Sequence, residues 1–394
     1  MAVGDIYKLH LESIAPGGNA LGRFEGKPVF VEGGAINETV TCRVTQEHNT
    51  WAFAEILEII KPSPARIQSD CAFYNTCAGN SAARCGGCNL AHINYEAQLA
   101  AKENILRDSF FRIGGMEPPF IKVFSSPPLE YRNRMQFHCL RNESKKHNDR
   151  KFGLKGKQSE EIIAVTDCPV AVSGIRNIIK TGSLQAPPEK DRFTVFCKDD
   201  VLLNEGGQSR GKINLLEKEI ILDAGVFFQS NCFMLEKLIL EMEKIAKSAD
   251  KNSIMADFFC GAGTFAFFLS GLFSKVICAE ENKTAVSLAR ENLKGVNAEF
   301  FALRDTDWQR AVFQKNNKID FAVIDPPRAG LNKKFAFVLT QERIPVLAYV
   351  SCDPASLARD SKILTNGGYK LKDLMLFDFY PQTSHIESLA VFEK

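Results

Sequence analysis

The sequence has no long apolar run that is free of both charge and glycine. Its first ten residues, MAVGDIYKLH, contain no apolar core, so we expect no secretory signal peptide. The longest apolar stretch, residues 255–273, contains Asp257 and three glycines, which fits a strand, a turn and a helix better than a membrane span. We therefore predict a cytoplasmic protein that has no contact with a membrane.

A large net charge is missing as well, because 49 basic side chains offset 47 acidic ones to leave +2. The distribution is more informative than the total. Residues 1–60 carry four basic and eight acidic side chains, whereas residues 132–157 carry nine basic and two acidic ones. The second segment can neutralise the phosphates of a nucleic acid, although a solvated charged hairpin gives the same pattern.

Cysteine, by contrast, is plentiful, with 12 residues. In a cytoplasmic chain this number argues against a disulfide framework. Four cysteines lie close together in the sequence, and the last two belong to a CGGC loop that can place two thiolates on one metal: Cys71, Cys77, Cys85 and Cys88. The spacing is compatible with Zn²⁺ and with an iron–sulfur cluster, and it does not choose between them.

The pattern of apolar and polar residues changes twice along the chain, which indicates three domains. Residues 1–60 alternate apolar and polar side chains between glycine clusters, which predicts a small β-barrel. Residues 61–215 combine a proline-containing linker, a helical run and short strands, so we predict a central α+β domain whose helical part, 89–122, packs on the third domain. Residues 216–394 alternate strands and helices, which predicts a doubly wound, Rossmann-like α/β sheet.

A glycine-rich turn opens this third domain. The segment DFFCGAGTF places Gly261 and Gly263 between a predicted strand and a predicted helix, where glycine allows a tight turn and close approach of a ligand. Glu280 ends the next predicted strand, where a carboxylate can accept hydrogen bonds from a ribose. A nicotinamide nucleotide would fit the same pattern, and so would a purely structural turn.

Two further segments follow later strands of this sheet. Asp325 comes after the strand 321–324, and Cys352 comes after the strand 346–350, so both lie where α/β sheets bind ligands. A thiolate that adds to C6 of uracil creates an enolate that can attack a methyl group, after which a base must remove the C5 proton. Cys352, Glu387 and Asp325 can supply the nucleophile, the base and a group that steadies the pyrimidine. The alternative interpretations are that Cys352 is a buried core cysteine and that Glu387 lies in a surface loop.

A free cysteine has a pKa of about 8.5, so a nucleophilic Cys352 needs help to ionise. We expect nearby positive charge, or the edge of the base, to favour its thiolate.

Three motifs, YVSCDPAS, DPPRAG and FDFYPQTSHIE, are similar to the signature motifs of the RNA uracil-C5 methyltransferase family. Residues 1–60 resemble the RNA-binding TRAM domain of that family. The resemblance implies that Cys352 is the nucleophile, that Glu387 is the general base, and that S-adenosylmethionine is the co-substrate. It also implies a cofactor site that includes the glycines of the turn: Gln229, Phe259, Gly261, Gly263, Thr264, Glu280, Asp305 and Asp325.

The cysteines extend the resemblance to the ribosomal-RNA branch of the family, whose members carry a 4Fe–4S cluster. This likeness implies the ligands Cys71, Cys85, Cys88 and Cys168, the last in a Cys-Pro context, with Cys77 as an alternative to Cys71. It also implies 23S ribosomal RNA as the substrate, and we expect a monomer. A transfer-RNA uridine is the alternative substrate, and an iron–sulfur nicotinamide oxidoreductase or a non-catalytic RNA-binding protein is the alternative function.

Overall fold

The computed structural model describes residues 1–74, 84–139, 152–157, 159–183, 186–187, 189–247, 249–315 and 318–394. Cys77 lies outside the described residues, as do five of the basic residues of the 132–157 segment: Arg141, Lys145, Lys146, Arg150 and Lys151. Across the described ranges, no helix is long and apolar enough to span a membrane.

The N-terminal part is a closed five-stranded barrel with the strand order β1-β2-β3-β5-β4. Its strands are β1 (Ile6–Ile14), β2 (Ala20–Phe24), β3 (Lys27–Glu32), β4 (Thr39–Glu47) and β5 (Ala52–Lys61). Alternate side chains such as Leu9, Leu11 and Val31 are at most 2% exposed, because successive residues of a strand point to opposite faces. The predicted β-barrel is confirmed.

The central part begins with α1 (Tyr95–Ser109), which the Asn94 side chain caps by accepting a hydrogen bond from the Ala97 N–H. A π-helical turn, Phe110–Gly114, follows, and Gly115 ends it with a φ of +66°. The remaining elements form an antiparallel sheet of order β11-β10-β7-β8-β9, one helix and a hairpin. They are β7 (Arg134–Cys139), β8 (Phe152–Lys155), β9 (Ile162–Ile163), α2 (Ser173–Thr181), β10 (Arg192–Lys198), β11 (Val201–Asn204), and the hairpin β12 (Arg210–Leu215) with β13 (Lys218–Asp223).

The C-terminal part is built on an eight-stranded sheet of order β16-β15-β14-β17-β18-β20-β19-β6, in which β20 alone runs antiparallel. Its strands are β6 (Ile121–Phe124), β14 (Ile254–Phe258), β15 (Lys275–Glu280), β16 (Ala298–Ala302), β17 (Phe321–Ile324), β18 (Val346–Ser351), β19 (Lys370–Phe377) and β20 (Glu387–Glu393). The helices are α3 (Cys232–Ala246), α4 (Thr264–Leu269), α5 (Lys283–Asn292), α6 (Lys333–Glu342) and α7 (Pro354–Asn366). The predicted Rossmann-like α/β fold is confirmed.

One strand of this sheet comes from far earlier in the chain. β6 pairs in parallel with β19, and the rings of Phe124 and Phe377 stack at 4.4 Å between centroids. One apolar core runs from the barrel through Ile105 and Phe110 to Leu357 on α7. The segment that precedes the central sheet therefore belongs physically to the C-terminal part.

Candidate active site

Three loops meet at one edge of the eight-stranded sheet. β17 ends just before Asp325 and β18 ends just before Cys352, so both residues lie at the carboxyl edge of parallel strands. β20 runs antiparallel to β18, with Ser388 opposite Ser351. Its first residue, Glu387, therefore starts at the same edge, and the antiparallel strand brings the predicted base to the predicted nucleophile.

A cavity of about 810 Å³ opens at this edge, a volume typical of small-molecule sites. Cys352 and Glu387 line it, together with six of the residues that the sequence assigned to the cofactor: Gln229, Phe259, Gly261, Glu280, Asp305 and Asp325. Phe227, Trp308, Arg328 and Tyr380 also contribute to its wall. Nucleophile, base and cofactor candidates thus share one cavity.

The glycine turn after β14 divides into two parts with different roles. Gly261, at a φ of +53°, donates its N–H to Glu280 Oε2 at 3.2 Å on the cavity side. Gly263, at a φ of +75°, faces α5, where an added Cβ would lie 3.0 Å from the Cβ of Ala289. Gly263 and Thr264, the first residue of α4, are not among the residues that line the cavity. Gly263 accordingly serves close helix packing.

Phe259 occupies an unusual backbone conformation, with a φ of +62°. A bulky residue rarely adopts this region, and such strain concentrates at functional sites. The N–H groups of Phe259 and Cys260 both donate to Ala279 O, at 2.8 and 3.2 Å, and hold the turn in place. The Phe259 ring packs edge-on against Trp308, so the two aromatic side chains form an apolar wall of the cavity.

Gln229 brings an unsatisfied polar atom to the cavity. The residue is 8% exposed, and within the described residues its Oε1 has no hydrogen-bond partner. A buried acceptor left without a donor costs about 1–3 kcal/mol. A ligand that donates a hydrogen bond at this position would remove the cost, so the cavity fits a polar molecule such as S-adenosylmethionine or uracil.

A second cavity, of about 210 Å³, lies at the cysteine loop. All four predicted cluster ligands line it: Cys71, Cys85, Cys88 and Cys168. Arg132 and Gln382 are also part of its wall. In the part of the chain that the structure describes, no three His, Cys, Asp or Glu side chains are grouped closely enough to hold one metal ion.

A model of the tRNA (uracil-5-)-methyltransferase family matches residues 210–394, and a model of the TRAM domain matches residues 2–57. A protein of Aquifex aeolicus named as an uncharacterized RNA methyltransferase is 31% identical, over 98% of this chain and 98% of its own. The chain belongs to the RNA uracil-5 methyltransferase family. It is accordingly an S-adenosylmethionine-dependent RNA methyltransferase that acts on uracil C5, as the motifs predicted.

Other members of the RNA uracil-5 methyltransferase family match along the whole chain. A Pseudomonas putida protein named 23S rRNA (uracil(1939)-C(5))-methyltransferase RlmD is 28% identical, over 99% of this chain and 94% of its own. The Pyrococcus abyssi tRNA (uracil-54, C5)-methyltransferase, solved with S-adenosyl-L-homocysteine, superposes with a TM-score of 0.73 at 21% identity, over 98% of this chain and 100% of that one. The second likeness establishes a shared fold.

Two buried carboxyl groups line the cavity of this uracil-5 methyltransferase. Burial raises the pKa of Asp325 to about 7. Burial, and the charge of Asp325, raise the pKa of Glu387 well above its usual range. Burial in one cavity therefore favours the protonated form of both carboxyl groups.

The environment of Cys352 combines burial with charges of both signs. Burial raises the pKa of its thiol to about 12, and the charges of Glu387 and Asp325 add to the rise, while Arg328 opposes it. Arg328 supplies the nearby positive charge that the sequence predicted, but burial outweighs its effect on the pKa of the thiol. Burial is the largest cause of this rise, because a cavity that excludes water disfavours the charged thiolate.

Sequence reasoning missed some residues of this cavity. Arg328 belongs to the DPPRAG motif and Tyr380 to the C-terminal motif, but the sequence assigns neither side chain a role. Trp308 is 1% exposed, lies in a short helical turn and donates its Nε1–H to Leu303 O. No local pattern marks it as part of the site, because only the folded turn places it against Phe259.

Proposed function

We propose that this protein methylates C5 of a uridine in 23S ribosomal RNA, with Cys352 as the nucleophile and Glu387 as the general base. The observation that carries the proposal is that both residues line one cavity, at the meeting point of β18 and β20. The curated name of the Pseudomonas putida relative, which matches along the whole chain, supports the ribosomal substrate. The protein acts as a monomer in the cytoplasm.

The reaction needs one nucleophile and one base. The Cys352 thiolate, having lost its proton to solvent, forms a bond from sulfur to C6 of uracil, and the C5–C6 electron pair moves into an enolate. C5 then forms a bond to the methyl group, and S-adenosylhomocysteine leaves. The Glu387 carboxylate takes the C5 proton, the C5–C6 double bond re-forms, and the C6–S bond breaks to return the thiolate.

S-adenosylmethionine supplies an electrophilic methyl group and a sulfonium charge when it is bound. Glu280 would accept hydrogen bonds from its ribose, Asp305 would lie near its adenine, and Phe259 would cover it with an apolar surface. The orphaned amide oxygen of Gln229 would accept a hydrogen bond from the co-substrate or from the uracil edge. The sulfonium cation of the bound co-substrate would oppose the carboxyl charges that raise the pKa of the Cys352 thiol.

The RNA would approach across the central sheet. Four basic residues of the 132–157 segment lie in the described ranges, and Lys155 and Lys157 pair with Glu160 and Glu32. Arg134 lies 5.6 Å from the ring of Phe227, which is 59% exposed at the wall of the catalytic cavity. A guanidinium beside an exposed ring provides both a phosphate contact and a stacking surface.

The substrate is tested by incubating the purified protein with methyl-labelled S-adenosylmethionine and unmodified transcripts of 23S rRNA and tRNA. We expect label in 5-methyluridine of the rRNA transcript alone. Label in tRNA alone would support the same chemistry but would identify tRNA, rather than 23S rRNA, as the substrate. Absence of label from both RNAs, with a protein that binds the co-substrate, would contradict the proposed reaction.

We further propose that Cys71, Cys85, Cys88 and Cys168 hold a 4Fe–4S cluster. A cavity of about 210 Å³ bordered by four thiols suits a larger, polynuclear group. Arg132 on the same wall would offset the negative charge of the thiolates. Methyl transfer requires no electron, so we propose that the cluster stabilises the structure or positions the RNA.

Protein purified without oxygen should contain about four iron atoms per chain and absorb broadly in the visible range. Cys168→Ala should lose most of this iron, because it removes a ligand. Cys42→Ala is the matched control: Cys42 is fully buried in the barrel, away from the cavity, and its loss should leave the iron content unchanged. Stoichiometric zinc in the wild type, or full iron in Cys168→Ala, would contradict the assignment.

A further inference from the structure

The loop between β19 and β20 ends at Glu387, so its conformation fixes the position of the proposed base. Gln382 in this loop has a φ of +67°, a conformation that a non-glycine residue holds only when its surroundings impose it. The contacts that impose it come from other parts of the chain. They therefore hold the backbone that enters β20, and they act together with the pairing of β20 to position Glu387.

Asn89, which directly follows Cys88, makes the most direct of these contacts. Its Nδ2 donates to Ser384 Oγ at 2.9 Å and to Gly17 O in the barrel at 2.8 Å. Its Oδ1 accepts the Ser384 N–H at 2.8 Å. The N–H groups of Asn89 and Leu90 both donate to Gln382 O, at 3.1 and 2.9 Å. One side-chain amide thus joins the cysteine loop, the barrel and the catalytic loop.

The barrel is shaped to receive this amide. Gly18 has a φ of +90°, and an added Cβ would lie 2.7 Å from Asn89 Nδ2, so only glycine leaves room for it. On the opposite side, Gln382 lines the cysteine cavity as well as belonging to the catalytic loop. Asn89 consequently stands where three parts of the fold touch.

α1 secures the rest of the loop. Gln98 Oε1 accepts the Gln382 N–H at 2.8 Å, and Gln98 Nε2 donates to Gln382 Oε1 at 3.0 Å. One helical turn later, Lys102 donates to Asp378 Oδ1 at 2.5 Å, and both side chains are fully buried. These contacts fix the beginning and the middle of the loop. Asn89 fixes its last part, three residues before Glu387.

We propose that Asn89 is a positioning residue for Glu387, an inference that rests on the proposed function. Abstraction of the C5 proton requires the carboxylate to lie within hydrogen-bond distance of it, and a displacement of about 1 Å can cost as much as 100-fold in rate. Cys352 follows β18 and has no part in this loop. Loss of Asn89 should therefore slow proton abstraction selectively, and leave addition of the thiolate unaffected.

The test measures two rates in a single turnover: formation of the RNA–protein adduct, which survives denaturation, and its release. In Asn89→Ala we expect release to slow on the order of 10-fold, with formation unchanged, so that the methylated adduct accumulates. Asn89→Asp keeps the acceptor for the Ser384 N–H but cannot donate to Gly17 O, so it should restore release in part. Asn297→Ala is the matched control, because it removes an amide contact to Ser274 O far from the site.

A parallel fall of both rates, or an unchanged release rate, would overturn the inference. If Asn89→Ala does not fold, Ser384→Ala decides, because it removes one hydrogen bond of the same contact and should also raise the amount of adduct. A wild-type protein that forms no adduct would contradict the proposed function instead, so the two failures are distinguishable.

Discussion

Replacement of Cys352 by alanine is expected to lower the methylation rate on the order of 10⁴-fold or more, because no other group can form the bond to C6. The affinity for RNA should remain within the error of the wild-type value, since the thiol is one of many groups that line the cavity. Labelled S-adenosylmethionine measures the rate, and a filter-binding assay measures the affinity.

The matched control for this variant is Cys197→Ala. Cys197 is a buried thiol on β10 of the central sheet, away from the catalytic cavity, and its loss should leave the rate unchanged. A Cys352→Ala variant that still methylates RNA would assign the nucleophile elsewhere. The proposed reaction would then be contradicted at its first step, the bond from the Cys352 sulfur to C6.

Replacement of Glu387 by glutamine is expected to trap the methylated RNA on the protein. The amide matches the carboxyl group in size, so the buried site should keep its shape, but it cannot accept the C5 proton. Release of the adduct should slow by about 10²- to 10⁴-fold, whereas its formation continues. An adduct band that resists denaturation, containing both RNA and methyl label, is the measurement.

The pH dependence separates this role from a structural one. The base must be deprotonated, and burial raises the pKa of Glu387, so release by the wild type should increase with pH as the carboxylate forms. In Glu387→Gln this increase should disappear. Glu236→Gln is the control, because burial raises the pKa of Glu236 on α3 as well, yet it lies outside the cavity. Equal release rates in the wild type and in Glu387→Gln would remove Glu387 as the base.

The sequence predicted those features that depend on local pattern. The β/α alternation after residue 215 and the glycine turn at Gly261 follow from periodicity and from the backbone freedom of glycine. Cys352 and Asp325 were placed together because carboxyl ends of parallel strands share one edge of a sheet. The alternation of residues 1–60 likewise predicted the barrel.

Features that depend on distant partners could not be predicted in the same way. β6 pairs with β19, which lies some 250 residues later in the chain. The sequence of β6, IKVF, contains no pattern that predicts this pairing. The charge around Cys352 depends on which carboxyl groups the fold brings beside it. In the motif, Gly263 resembles a glycine that contacts a ligand. In the fold, a Cβ added at Gly263 would contact Ala289 on the next helix, α5. The bridge that Asn89 makes between three parts of the chain has no local signal.

The place of β20 in the sheet also sets an order of assembly. Within the described sheet, β19 and β6 are joined to the other five strands through β20, the last of these eight strands to leave the ribosome. Until it inserts, β18 and β19 each lack a neighbour on one side, and Glu387 has not yet reached the edge where Cys352 lies. Synthesis and catalytic competence are thereby linked, because the strand that completes the sheet also carries the base.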